Sequence, residues 1–218
     1  MLNVFANRTQ RSDFVISELE RRGFKDCEVF IAVAFFTEAE VVKRLVEKGC
    51  KIRLVVRLGF PTSPSALEAV KGKVDLRVYT SMSFHPKLYI FGDEVALVGS
   101  ANLTHRAITS NQEVVVGIAG DDERFAELAA IFQNYWDDAD VPTDEMLRTY
   151  AAAYKTFEAH ENAADRLSRE IAQQHRARRE EGEQAVVIPG ELPQDLPGSG
   201  FRVRDRATRL RSHGLPQG

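Results

Sequence analysis

A short apolar run at residues 27–35 constrains the fold more than any other part of the chain. The run, CEVFIAVAF, is almost unbroken and is rich in Val, Ile and Phe. A strand with one face in water alternates polar and apolar residues, whereas a strand covered on both faces reads as a continuous apolar run. No apolar run approaches the ~20 residues that a membrane-spanning helix needs. We therefore predict a central strand that is covered on both faces.

The rest of the first 140 residues alternates between helical and extended patterns. The predicted elements are, in chain order, a helix over residues 38–48 closed by Gly49, a strand over 51–58, a short helix over 65–71, a strand near an edge over 74–79, two hairpin strands within 85–102, a strand over 113–119, and a helix that Asp121 or Asp122 caps and that ends near residue 138. This order predicts an α/β fold with a mixed β-sheet sandwiched by helices.

Three regions are predicted along the chain: a main domain over residues 1–140, a long helical extension over 141–182 and a flexible tail over 183–218. Apolar residues recur in the extension at about 3.5-residue spacing, so it could pack on the main domain or pair with a second copy. The tail combines proline, glycine and arginine. Its arginines could neutralise backbone phosphates, or the tail could serve only as a solubilising segment.

Composition limits the classes of protein that the chain can belong to. Its 218 residues are 44% hydrophobic and 28% charged, which is ordinary for a globular protein with one sizeable core. The net charge of −3 argues against a wholly basic nucleic-acid coat, although local patches can still bind phosphate. No secretory signal is visible at the N-terminus, so we expect a cytoplasmic protein without membrane association. We expect Cys27 and Cys50 to be buried thiols, with a disulfide left open.

The segment over residues 85–102, HPKLYIFGDEVALVGSAN, brings together groups that suit a phosphate. His85 and Lys87 lie two residues apart, so they face the same side of a strand. The returning strand ends in Gly-Ser-x-Asn and would deliver Ser100 and Asn102 beside them. An imidazole, an ammonium, a hydroxyl and an amide then converge on one small volume. This inventory contains no evident metal cage, and we expect neither a metal nor a cofactor.

These residues resemble the phospholipase D superfamily, whose signature is His-x-Lys, four residues, Asp, six residues and Gly-Ser-x-Asn. The match departs at the acidic position, where Gly92 stands and Asp93 follows. The distance from His85 to Ser100 is unchanged, so only the acidic group has moved within the turn. The superfamily also places an acidic residue at the start of the next strand, and Glu113 fits that place. The resemblance covers roughly residues 10–140, which would form a phospholipase D-like catalytic domain.

The resemblance implies roles for five catalytic residues. One histidine attacks phosphorus to give a phosphohistidine, and a second histidine protonates the departing oxygen. His85 would fill these roles, Lys87 and Asn102 would bind the phosphate, and Ser100 would bind oxygen or help to orient the site. Glu113 would accept a hydrogen bond from an imidazole N–H and fix its tautomer. Because one chain carries one motif, the resemblance also implies a homodimer with one shared site.

The superfamily includes enzymes that act on lipids and on nucleic acids, so the motif alone does not choose the substrate. Lipid-acting members usually carry two motifs in one long chain, whereas the short single-motif format resembles the bacterial nuclease branch with its restriction-type and helicase-linked members. We therefore favour a gated DNA endonuclease in genome defence or DNA processing, with DNA preferred over RNA. A helicase or another defence-system protein is the expected partner. The alternatives are a catalytically silent subunit that binds phosphate or nucleic acid, and a phospholipid phosphodiesterase.

Overall fold

The computed structural model describes residues 3–7 and 14–185, so the arginines predicted to act in the tail lie outside the described residues. The chain divides into two compact units, Met1–Leu167 and Ser168–Gly218. The first unit holds the sheet and the helices around it, and the described part of the second is helical up to residue 185. The predicted boundaries at residues 140 and 182 remain predictions.

Strands and helices alternate through the first half of the chain. The elements are β1 (Asn3–Ala6), α1 (Phe14–Arg22), β2 (Glu28–Val33), α2 (Ala39–Glu47), β3 (Lys51–Arg57), α3 (Pro64–Val70), β4 (Asp75–Tyr79), β5 (Lys87–Phe91), β6 (Val95–Gly99), α4 (His105–Thr109), β7 (Val114–Ala119), α5 (Glu123–Asp138) and α6 (Asp144–Ala185). Sequence patterns located most of these elements and missed β1, α1 and α4. Two of the three missed elements are too short, at four and five residues, to show a period.

Among the described residues, seven strands form one sheet in the order β1-β7-β6-β5-β2-β3-β4. Strands β2, β3 and β4 run parallel, while β5, β6, β7 and β1 join by antiparallel pairing. The predicted mixed sheet is confirmed, and β4 lies at an edge as its alternating sequence indicated.

Alternate residues of the central strand, β2, pack into two separate hydrophobic cores. Ile31 and Val33 lie in the larger cluster with helices α1 to α4, and Ala32 between them lies in the smaller cluster under α5. Phe132 of α5 closes the smaller core by stacking on Phe30, with ring centroids 5.1 Å apart. Covering both faces explains why residues 27–35 carry an almost continuous apolar run.

The first turns of α6 pack on the sheet domain. Met146, Leu147 and Tyr150 contact the larger core, and the Tyr150 hydroxyl donates a hydrogen bond to the carbonyl of Thr62. Of the two alternatives for the helix, packing on the main domain therefore holds for this part. Farther along, the side chain of Phe157 is 52% exposed.

Cys27 and Cys50 are both free and buried, as expected from their positions before two central strands. Burial, followed by the neighbouring Cys50 thiol, raises the pKa of Cys27 to about 11. Both factors keep that thiol protonated at neutral pH. Among the helices in the described part of the chain, none is both long and apolar enough to cross a membrane.

Candidate active site

The predicted site residues meet at one edge of the sheet. Strand β6 runs in the same direction as β2, since both are antiparallel to β5, so the ends of β2, β3 and β6 lie beside the starts of β5 and β7. Lys87 opens β5 opposite Val33, the last residue of β2. His85 precedes β5, Asn102 follows β6 and Glu113 precedes β7. The sequence placed His85 within the strand, whereas it lies in the loop just before β5.

His85 and Lys87 contact each other directly. The Lys87 Nζ lies 2.6 Å from His85 Nδ1 and 3.4 Å from Nε2, and it donates to the His85 backbone carbonyl at 2.9 Å. An ammonium carries donors only, so the ring nitrogen that faces it must accept. The contact therefore favours the neutral imidazole, in which the lone pair of Nδ1 accepts from Lys87 and the other ring nitrogen carries the proton.

The electrostatic surroundings of His85 also favour its neutral form. Partial burial of the ring, followed by the positive charges of Lys87 and Arg57, lowers the pKa of His85 below its ordinary value of 6.5. Burial also lowers the pKa of Lys87, with a further contribution from Arg57, while Glu113 acts in the opposite direction. His85 is thus held neutral at pH values where a free histidine is already partly protonated.

Asn102 is oriented by the end of the central strand. Its Oδ1 accepts a hydrogen bond from the Phe35 backbone N–H at 3.1 Å. Because the side-chain carbonyl is used in this way, the amide –NH₂ remains as the donor. That orientation suits the predicted role of Asn102 as a donor to a phosphate oxygen.

Ser100 and Glu113 form a pair across neighbouring strands. The Ser100 hydroxyl donates to Glu113 Oε2 and accepts from the Val114 N–H at 3.0 Å. The other carboxylate oxygen accepts from Asn111 Nδ2 at 3.4 Å. Since a hydroxyl has one proton, Ser100 donates it to the carboxylate, and this hydrogen bond orients Glu113.

The expected hydrogen bond between Glu113 and an imidazole does not form between these groups of one chain. Strand β6 lies between β5 and β7 in the sheet order, so Glu113 adjoins Ser100 at the end of β6 and not His85 before β5.

Arg57 is the site residue that the sequence interpretation missed. It ends β3, is 5% exposed, and donates at 3.2 Å to the carbonyls of both Met82 and Phe60. Its guanidinium carbon lies 4.5 Å from the ring centroid of Phe35, which meets the His85 ring edge to face at 5.5 Å. Arg57 thus fixes the loop before His85 and supports the ring that packs against it.

One signal in the sequence pointed to Arg57. It is a charged residue at the carboxyl end of a strand whose preceding residues, Leu54, Val55 and Val56, are apolar and buried. In open α/β sheets, ligands bind beyond the carboxyl ends of the strands. The identity of its partners depends on segments distant along the chain, so its role could not be read from its own strand.

The displaced acidic residue lies away from the site. Gly92 forms the turn at the opposite end of the hairpin from Lys87, with a φ of +53° that favours glycine. Asp93 follows it with an exposed side chain. The departure from the motif is therefore confined to the turn, as the unchanged hairpin length predicted.

The assembled groups include one of the two histidines that the expected phosphodiester cleavage needs. His85 offers a neutral imidazole, while Lys87 and Asn102 offer donors for phosphate oxygens. Within the described residues, no second histidine contacts His85. His105 opens α4 and faces Glu38, with Nδ1 and Oε2 3.0 Å apart. In the same part of the chain, no group of three or more His, Cys, Asp or Glu residues is placed to hold a metal ion.

Comparisons with solved structures show which known proteins have a similar fold. The structure is similar to that of NucT from Helicobacter pylori, with 15% identity, a TM-score of 0.55, and 65% of this chain and 99% of that chain covered. It is also similar to a phospholipase D family member, Nuc from Salmonella typhimurium, with 18% identity, a TM-score of 0.57, and 66% and 99% covered. Phosphatidylserine synthase from Haemophilus influenzae shares 13% identity, with a TM-score of 0.50, and 74% and 47% covered.

A comparison with curated protein sequences gave no match. The family described as "Cardiolipin synthase, PLD-like domain" matches residues 26–136, which is more than half of the chain and includes every predicted site residue. The chain therefore belongs to the phospholipase D-like family, and its His-x-Lys and Gly-Ser-x-Asn segments stand together in the structure as that family's motif.

Proposed function

We propose that this protein is a metal-independent phosphodiesterase that cuts DNA internally, acting as a homodimer through a phosphohistidine intermediate. The observation that carries the proposal is the contact between the His85 imidazole and the Lys87 ammonium, 2.6 Å apart, with the Asn102 amide oriented at the same sheet edge. A nucleophile with a lone pair and donors for developing negative charge are the requirements of this chemistry.

The proposed reaction has two steps that balance. In the first, a His85 ring nitrogen forms a bond to phosphorus and the bond to the leaving oxygen breaks. An imidazolium, supplied by the same residue of a second copy, gives its proton to that oxygen. In the second step the now neutral imidazole of the second copy takes a proton from water, whose oxygen attacks phosphorus and releases His85. Lys87 and Asn102 hold the non-bridging oxygens throughout.

The proposed homodimer would supply the second imidazole that the described residues of one chain do not place beside His85. A two-fold axis places the same residues on both sides of a shared phosphate, so each copy supplies one imidazole, one ammonium and one amide. Glu113, already oriented by Ser100, would then be available to the imidazole of the second copy. Its carboxylate would fix the tautomer of that ring, as the acidic residue of a catalytic triad does.

Two features support DNA as the substrate. The match spans 99% of the solved Nuc and NucT chains, so this chain contains the whole of their fold. It also carries a single His-x-Lys motif, which is the format of the nuclease branch. We place the protein in the cytoplasm, with a role in genome defence or DNA processing and with cleavage gated by a helicase or another defence-system protein.

The first experiment measures cleavage of plasmid and single-stranded DNA in the presence of a metal chelator. We expect cleavage by the wild-type protein and at least a ~10³-fold loss in His85→Ala, because the nucleophile is removed. His105→Ala is the matched control, since His105 is an exposed histidine that faces Glu38, and it should retain activity. Failure of the wild type to cut DNA or RNA at any pH would contradict the proposal.

A second experiment tests the shared site. Wild-type and His85→Ala chains are unfolded, mixed in equal amounts and refolded together. If each site needs an imidazole from both copies, only about a quarter of the dimers are intact and activity falls to about a quarter of the all-wild-type value. Independent sites in each chain would leave about half.

A phospholipid phosphodiesterase is the second candidate, favoured by the description of the matching family and by the fold shared with a phosphatidylserine synthase. Its test is release of head groups from vesicles that contain cardiolipin or phosphatidylglycerol. Head-group release that depends on His85, without any cleavage of nucleic acid, would replace DNA as the proposed substrate and leave the chemistry in place.

A further inference from the structure

A cleft of about 370 Å³ opens beside His85, and neither Lys87 nor Asn102 lines it. Its walls come from the end of β4, the loop before β5 and the last turns of α5. The phosphate-binding groups do not account for this space, although it shares the imidazole with them. A substrate bound through its phosphate at His85 would have its neighbouring group within reach of the cleft.

Aromatic rings form the walls of the cleft. Phe84 stacks on Tyr79 with centroids 4.2 Å apart and planes 8° from parallel. Tyr135 meets Phe84 edge to face at 5.3 Å. Phe84 is buried while the two tyrosines are partly exposed, so Phe84 anchors a rigid aromatic surface that the tyrosines present to the cleft. Such a surface suits a flat ring.

Within the described residues, three polar groups of the cleft make no hydrogen bond: the hydroxyls of Tyr79 and Tyr135 and the carboxylate of Asp138. Burial, followed by the nearby Asp138 and Tyr135, raises the pKa of Tyr79, so its hydroxyl stays protonated and can donate. Asp138 can only accept when ionised. The cleft thus offers hydroxyl donors and one carboxylate acceptor beside an aromatic surface.

We propose that this cleft binds the nucleobase next to the scissile phosphate and that it prefers guanine. This inference rests on the proposed nuclease function, and it concerns the part of the substrate that the phosphate-binding residues do not contact. Every nucleobase offers a face for stacking on aromatic side chains. Guanine also presents two parallel N–H donors, which a carboxylate accepts together, and a carbonyl that a tyrosine hydroxyl can meet.

The negative charge of Asp138 excludes the simplest alternative, a track for the next backbone phosphate. Two like charges at close range repel, so an exposed carboxylate is a poor neighbour for a phosphodiester. A base with amino and imino hydrogens satisfies both the aromatic walls and the acceptor.

Binding of small phosphates tests the cleft without any need for cleavage. The affinities of guanosine 5′-monophosphate, thymidine 5′-monophosphate and ribose 5-phosphate are measured by calorimetry on the full chain. We expect the guanine nucleotide to bind about tenfold more tightly than ribose 5-phosphate. Asp138→Asn should remove most of the preference for guanine over thymine, and Tyr135→Ala should weaken both nucleotides. Neither change should alter the affinity for ribose 5-phosphate, which reports that the fold is intact.

Asp137→Asn is the matched control, because the neighbouring carboxylate lies outside the cleft and accepts from Gln133 Nε2 at 2.8 Å. It should leave all three affinities unchanged. Equal affinity for the nucleotides and ribose 5-phosphate, or a guanine preference that survives Asp138→Asn, would overturn the inference. Cleavage of DNA by a wild type without base preference would do so while leaving the proposed function standing. A base preference in a protein that cuts no nucleic acid would support the inference about the cleft and contradict the proposed nuclease function.

Discussion

Tyr89→Phe tests whether the core of the sheet positions the segment that carries Ser100 and Asn102. Tyr89 lies on β5 and is 1% exposed, and its hydroxyl donates to the carbonyl of Ala101 at 2.9 Å. Ala101 is itself fully buried and stands between Ser100 and Asn102. The substitution removes one oxygen and changes nothing else in the packing of the ring.

The expected cost follows from what the lost hydroxyl leaves behind. The hydrogen bond itself contributes about 1 kcal/mol net, and a buried carbonyl without a partner costs about 1–3 kcal/mol. These two contributions overlap and do not simply add, so we expect the free energy of unfolding to fall by about 2 kcal/mol. With a urea m-value of about 2 kcal/mol per molar, the unfolding midpoint should fall by about 1 M.

Urea unfolding followed by circular dichroism measures the midpoint, and steady-state cleavage measures kcat. We expect kcat to fall by a few-fold, since a loosened Ala101 lets the Asn102 amide shift from its position. Tyr135→Phe is the control for stability, because it removes a hydroxyl that makes no hydrogen bond in the described part of the chain. A midpoint unchanged from wild type in Tyr89→Phe would refute the reasoning.

Three further changes have defined outcomes. Arg57→Met removes a positive charge that lowers the pKa of His85, so the acid limb of the kcat/KM pH profile should move to higher pH, whereas Arg57→Lys should move it less. Gly99→Ala places a Cβ 2.1 Å from the Val114 carbonyl oxygen and should lower the unfolding free energy by about 2 kcal/mol or more, as urea titration would show. Gly92→Asp restores the motif but puts a side chain at φ +53°, so stability should fall by about 1 kcal/mol with cleavage activity unchanged.

Local patterns predicted the parts of this fold that depend on local physics. The unbroken run at residues 27–35 indicated a strand covered on both faces, and β2 lies between two cores. Asp122 caps α5 by accepting from the Arg124 N–H, as its place before a helical pattern indicated. Gly49 ends α2 at a φ of +90°. In each case the signal and its structural cause lie within a few residues of each other.

Long-range pairing decided what the sequence could not show. The partners of Arg57 are Phe35, Phe60 and Met82, and they adjoin it only once β2, β3 and the loop before β5 are assembled. The bond from Ser100 to Glu113 likewise depends on β6 pairing with β7. A motif therefore identified the chemical groups, while the sheet order determined which of them touch.

Trapping the covalent intermediate is the most direct test of the central claim. Labelled DNA is mixed with the wild-type protein, the reaction is quenched in base to preserve a phosphorus–nitrogen bond, and the modified peptide is identified by mass spectrometry. The proposed chemistry places the adduct on the His85 imidazole, with none in Lys87→Ala if the ammonium is needed to bind phosphate. An adduct on another residue, or cleavage at the wild-type rate by His85→Ala, would contradict it.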